Sequence, residues 1–358
     1  MRKFLLPLLI AQALAVNAFA EGREQNNEVY SISEVEDLAP APTSNATITS
    51  YQWTKDVHSS RKASKGTASI ISPLMVPHTG PTTIPRTSAI NVMSTVNTTP
   101  IFWGSSWTNS TFASDKIVGL TVWYNNLHSS PYISAVSEYT TLNHLFIMSK
   151  IDTSATNVNS SNPGNVLAEV CKVVGTANLN ANGYYPVYTD VARGTANYCA
   201  YHSAGTCGGK LVQFAFFFSL DNDPGCDPVS PYAPPAGSAV AQKPGLVAGV
   251  SSAYQQSQGL AALANVSAHE LMETVTDPAY FPPTGGGYWG GWYDLTGAEN
   301  GDKCAWTFGP SNTRLSAGTV LIGGFDWKLQ GEWSNKAQNG TGGYPTQGGL
   351  LKGCVTGS

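Results

Sequence analysis

His269, Glu270 and Glu273 stand in one short run, His269-Glu270-Leu271-Met272-Glu273. On an α-helix the first and last of these lie one turn apart on the same face, where an imidazole nitrogen and a carboxylate oxygen can grip one cation. Glu270 lies beside them, placed to take a proton from water held by that cation. The run sits within residues 252–276, where Leu260, Leu263, Val266, Leu271, Met272 and Val275 recur near helical spacing without a proline, and Asp277-Pro278 follows as a stop. The spacing predicts one long helix carrying all three side chains.

A metal ion that acts on a substrate needs a third protein ligand and an open position. The candidates are Asp277, Asp294, Glu299, Asp302 and, more distant in sequence, His202. Glu299 is favoured. Asp277 extends the row of His269 and Glu273, but a helix rises about 12 Å over eight residues, too far for all three to meet one ion. Asp277 is therefore expected to cap or orient, and Asp302 to bond a ligand's second atom. The pattern resembles the His-Glu-x-x-His helix of zinc metallopeptidases, with a carboxylate replacing the second histidine and a downstream Glu as in thermolysin-like enzymes. That resemblance implies zinc on His269, Glu273 and Glu299, with Glu270 as general base. One imidazole and two carboxylates leave a neutral site around a divalent ion, a set that also suits Mn²⁺ or Ca²⁺. The plain alternative is a solvated helix face with two ordinary Glu residues.

These side chains need a scaffold, and apolar runs supply its elements. Ile101-Phe102-Trp103, His144-Leu145-Phe146-Ile147-Met148, residues 185–190 and the apolar run of residues 211–220 read as strands, the last buried on both faces. Helices are expected near residues 114–126 and over 163–174, where Asn162-Pro163 is a start signal. The alternation favours a mixed α/β (α+β) domain. The expected architecture is a zincin-like mixed sheet backed by helices, with the long metal helix under a cleft and a Gly-rich C-terminal region. Tyr288, Trp289, Trp292 and Tyr293 would form the cleft wall.

Residues 1–20 read as a signal peptide, since Arg2 and Lys3 precede an apolar run too short to span a bilayer and Ala18-Phe19-Ala20 follows. Residues 21–98, rich in Ser, Thr and Pro without periodicity, read as a propeptide or flexible stalk whose apolar cluster, Ile70-Ile71 with Leu74-Met75-Val76, could dock on the body. Residues 99–358 are the expected folded domain. Six cysteines imply three disulfides; Cys304 with Cys354 is the favoured pair and Cys199 with Cys207 the second. Sequons at Asn45, Asn97, Asn109, Asn159, Asn265 and Asn339 fit a secreted glycoprotein. A net charge of −4 excludes a basic nucleic-acid binder. Charged residues make up only 12% of the chain, about half the usual share, which suits an extracellular surface. No nucleotide-binding or serine-nucleophile motif occurs.

The runs Tyr198-Cys199-Ala200-Tyr201-His202-Ser203, Thr274-Val275-Thr276-Asp277-Pro278 and Glu299-Asn300-Gly301-Asp302-Lys303-Cys304 together resemble the EXORDIUM or phosphate-induced protein family. The resemblance covers roughly residues 99–358. It implies a secreted, wall- or matrix-associated protein, linked in plants to growth responses, and places His202 in or beside the site. Plant members often lose the His-Glu-x-x-Glu set that this chain keeps. Two expectations result. The first is a secreted, monomeric zinc metallopeptidase acting on a peptide or protein substrate, with no membrane span. The second is a non-enzymatic matrix or cell-wall binding protein whose metal is structural or absent.

Overall fold

The computed structural model describes residues 74–77, 92–196, 198–223, 225–226, 228, 256–278, 291–294, 298–308, 319–341 and 352–357. The expected signal peptide, most of the expected stalk, Tyr288 and Trp289 lie outside the described residues. Thr95–Thr98 (β2) and Ile101–Trp103 (β3) are two pieces of one extended run, parted at Thr99-Pro100, and both pair in parallel with Gly183–Ala192 (β6). Asn143–Phe146 (β4) and Lys150–Asp152 (β5) flank them on the outer side, also parallel. Beyond β6 lies Lys210–Ser219 (β8), parallel to it, and Ala200–Cys207 (β7) closes this side antiparallel to β8. The result is a mixed α/β fold around a mainly parallel sheet. Val76–Pro77, numbered β1, lies apart from it.

Helices cover both faces, as a sheet with apolar residues on both sides requires. Lys116–Leu127 (α1) leads from β3 toward β4. Pro163–Val174 (α2) has the expected bounds: the Asn162 side chain accepts from Gly164 N, and Gly175 at φ 75° ends it. Its buried stripe, Val166, Leu167, Val170 and Val174, meets one face. Gly205 of β7 faces it too, because a Cβ there would collide with the Leu167 side chain. On the other face lies Gln258–Thr276 (α3), started by the Ser257 side chain accepting from Leu260 N. Every residue of α3 from Gly259 to Thr276 is buried, as expected for a helix without a wet face. Small residues let it approach: Ala200, Ala204 and Ala215 share the strand face of His202, and Gly119 of α1 leaves room for Leu260. A chain of hydroxyls ties α3 down, with Tyr188 Oη 2.7 Å from Ser267 Oγ and 2.8 Å from Tyr124 Oη.

The C-terminal region packs on the far side of α3. It contains the hairpin of Thr319–Ile322 (β10) and Phe325–Lys328 (β11), turned by Gly323 and Gly324 at φ 62° and 82°. Glu332–Trp333 (β12) pairs with Cys354–Val355 (β13). Cys304–Cys354 closes this layer, as expected. The other expected pair is corrected. Cys199 and Cys207 stand at opposite ends of β7, about 26 Å apart at a strand's rise per residue. They bond instead to Cys226 and Cys171.

The folded body also begins ahead of the expected boundary after residue 98. β2 is a strand of the sheet, held on both sides by parallel partners. Further upstream, Met75 is 1% exposed and its backbone is clasped by Asn335, which accepts from Met75 N at 2.9 Å and donates to Met75 O at 2.7 Å. Val76–Pro77 (β1) pairs with Trp292–Tyr293 (β9). Among the sequons, Asn265 is fully buried in α3 and accepts a hydrogen bond from Gln330 N, which excludes a glycan there. No helix of the described residues is long and apolar enough to cross a membrane.

Candidate metal centre

Three elements bring acids and imidazoles together. α3 supplies His269, Glu270 and Glu273 from consecutive turns. β7 supplies His202, whose side chain points to α3 because Tyr201, next to it, points the other way and donates to Ser161 O. The third element is the turn Asn300–Lys303 with Glu299 at its N-terminal end. Gly301 lets this turn lie against α3, since a Cβ there would stand 2.6 Å from His269 Nδ1 and 2.9 Å from Glu273 Oε1.

Glu273 is the hub. Its Oε1 lies 3.1 Å from His269 Nε2 and accepts from Asp302 N at 3.0 Å, while Oε2 lies 3.6 Å from His202 Nδ1. His202 Nδ1 is also 3.3 Å from Glu270 Oε2, and its Nε2 is 3.9 Å from Glu299 Oε1. Among the described residues, two sets of three donors therefore cluster within 4.8 Å: His202 with Glu273 and Glu299, and His269 with Glu273 and Asp302. Donors that share one zinc at about 2.0–2.2 Å stand about 3–4 Å from each other; both sets lie within 4.8 Å, and His202 meets Glu273 through Nδ1 and Glu299 through Nε2.

Gln330 fixes the ring of His269. Its Nε2 donates to His269 Nδ1 at 2.9 Å and to Gly301 O at 3.0 Å, and its Oε1 accepts from Trp306 N at 3.3 Å. Reversing the amide would set oxygen against oxygen at Gly301 and N–H against N–H at Trp306, so this orientation holds.

The site is buried and crowded with acid. Glu270 and Glu299 are 2% exposed, Glu273 4%, His269 2% and His202 8%. Burial raises Glu270 above the usual carboxylate range, against the pull of His202 and His269. Burial acts on Glu273 too, but His269 and then His202 outweigh it and hold Glu273 below that range. For His269 burial disfavours the charged ring, yet Glu273 first and then Glu270 and Asp302 push it up to about 10. Gln330 donates to Nδ1, so the proton that these acids draw onto the ring sits on Nε2, toward Glu273. Lys303, the last residue of the turn, pairs with Asp294 at 2.7 Å and lies over Trp333. Three buried carboxylates thus gather around two imidazoles, and each ion costs several kcal/mol to bury uncompensated.

The expected residues sort clearly. Glu273 and Glu299 converge, with His202 rather than His269 as their common imidazole; His269 and Asp302 meet the other side of Glu273. Asp277 ends α3 through its N–H to Glu273 O and, with Glu299, adds to the burial that raises Tyr293. Asp294 is taken by Lys303. Trp292 packs on Tyr139 at 5.0 Å between ring centroids, and Tyr293 is buried in β9. Gln330 and Gly301 are the residues that sequence reasoning missed as parts of the site. A lone Gln after Leu329 carries no motif, but Gly301 lay within the noted Glu299-Asn300-Gly301-Asp302 turn. Comparison of the chain with protein-family models, curated proteins and solved structures found no match.

Proposed function

We propose that this chain is an extracellular metal-dependent hydrolase of the peptidase class, built on a zincin-like plan. The observation that carries the reading is the burial of Glu270, Glu273 and Glu299 around His202, a charge arrangement that a divalent cation would neutralise. Glu273, Glu299 and one imidazole would hold the ion, and zinc is the choice for a mixed nitrogen and oxygen set, with Mn²⁺ or Ca²⁺ favoured by each added carboxylate. Such an ion polarises a carbonyl and lowers the pKa of water. Glu270 would take a proton from such water, a task suited to a carboxylate whose proton affinity burial raises above the usual range. The closed surroundings exclude bulk water, which strengthens each of these interactions.

Peptide is the substrate class that the likeness of His269-Glu270-Leu271-Met272-Glu273 to the zinc metallopeptidase helix implies. Three disulfides support an extracellular setting. The three runs that resemble the EXORDIUM family meet at this one site, which supports carrying that resemblance as part of the proposal. The burial of every ligand also favours a second reading, a structural ion in a matrix-binding protein. Zinc content and hydrolysis of a mixed peptide library separate the two. Glu270→Gln should keep about one ion per chain and lose hydrolysis, because an amide cannot accept the proton. An inactive wild type that melts lower when stripped of its ion would establish the structural reading instead.

A further inference from the structure

We infer that the imidazole that binds the ion is His202 on the sheet edge, and that His269 of the helix motif instead positions Glu273. The inference rests on the metal reading above and assigns its ligands. An imidazole that binds a metal through one nitrogen donates its other N–H to a carboxylate or carbonyl. His202 has this arrangement. Its Nδ1 lies 3.3 Å from Glu270 Oε2, an acceptor when that carboxyl is ionised, and its Nε2 faces Glu299 Oε1 at 3.9 Å. With the proton on Nδ1, Nε2 presents a lone pair toward a carboxylate oxygen, an arrangement that a cation between them makes attractive.

His269 has the reverse arrangement. Gln330 donates to its Nδ1, and the three bonds of the Gln330 amide leave no alternative orientation. The ring proton therefore sits on Nε2 and is directed at Glu273 Oε1, 3.1 Å away. The same oxygen accepts from Asp302 N. Two donors on Oε1 turn Oε2 toward His202, at 3.6 Å from its Nδ1. The ion's ligands are then His202, Glu273 and Glu299, which form one of the two donor sets found within 4.8 Å. Gln330 donates to His269 and His269 donates to Glu273, a chain of two N–H donors that ends at a ligand. Glu270 uses one oxygen to orient His202 and keeps the other for a proton.

The test uses the purified full chain stripped of metal and titrated with Zn²⁺ and with Co²⁺, whose visible bands report its ligands. His202→Ala should weaken binding at least about 100-fold and change the Co²⁺ bands. His269→Asn, whose carboxamide oxygen can still accept from Gln330, should keep one ion and unchanged bands, with affinity lowered about 10-fold, as for loss of an orienting partner. Near-ultraviolet dichroism of the metal-free variants checks folding. Independently of any variant, ¹⁵N spectra of histidine-labelled wild type should show zinc shifting one ring nitrogen of His202 while His269 keeps its proton on Nε2. Loss of binding and of the bands in a folded His269→Asn, with His202→Ala unaffected, would overturn the assignment, as would a zinc-shifted His269 nitrogen. A wild type that takes up neither ion overturns the metal reading itself and the assignment with it.

Discussion

Gly301→Ala is the smallest change that tests how the turn and the helix fit. The added carbon would stand 2.6 Å from His269 Nδ1 and 2.9 Å from Glu273 Oε1, against an ordinary contact near 3.5 Å, so the groups must part by close to 1 Å. Neither neighbour yields easily, since Gln330 holds the His269 nitrogen and Asp302 N–H holds the Glu273 oxygen. Overpacking of this kind costs about 1–3 kcal/mol. With a urea slope of about 2 kcal/mol/M, the unfolding midpoint should fall by about 0.5–1.5 M. The disturbed ligand support should also lower zinc affinity about 10–100-fold. At a zinc concentration 100 times its dissociation constant the wild type gains about 2.7 kcal/mol, and the variant in the same solution should gain only about 0.4–1.4 kcal/mol. Urea titrations with and without zinc measure both effects. A variant with the wild-type midpoint and the wild-type response to zinc would refute the account of the turn as a close-packed wall of the site.

His144 predicts a loss of stability in mild acid. It is 2% exposed, stacked on Tyr124 and bonded through Nε2 to Thr98 Oγ1 at 2.9 Å; burial first, then His128, pushes it down to about 4 from 6.5. The unfolded chain binds the proton more readily in that window, so His144's stabilising share is full above pH 6.5 and falls by about 3 kcal/mol as pH drops to 4. His144→Gln should flatten this part of the stability profile in denaturant titrations, and an unchanged slope would contradict it. Met75→Ala should cost about 2–4 kcal/mol, the usual range for a buried Met, because Met75 is 1% exposed beneath Tyr139. Wild-type stability in that variant would show that residues 74–77 are not docked.

Legibility followed how local the cause was. Pro163–Val174 could be read to the residue, because Asn162, Pro163 and the apolar spacing act within the helix itself. The strand of residues 210–219 announced itself through consecutive aromatic residues. β7 stayed hidden: Ala200, Ser203, Ala204 and Gly205 make it a strand of small side chains, shaped by helices that press on it from both sides. That omission also produced the mistaken Cys199–Cys207 pair, since two cysteines close in sequence are far apart once the chain between them is extended. The same logic divides the site. Glu273 and Glu299 were visible from a helix period and a turn, whereas the nearness of His202 and Gln330 is set by sheet order and by the C-terminal layer, which no local spacing encodes.

The fastening of β7 bears on this last point. Cys199 and Cys207 tie its two ends to different partners, Cys226 and the helix residue Cys171. An edge strand paired on one side is otherwise free to slip along its neighbour, and a slip of one residue turns every side chain to the opposite face. Here such a slip would send His202 to the α2 side and bring Tyr201 or Ser203 against the carboxylates of α3. The two staples work like the pegs of a string, removing that freedom from the strand that carries the imidazole. The precision of the buried cluster is thus anchored at its ends, by four sulfur atoms that never touch it.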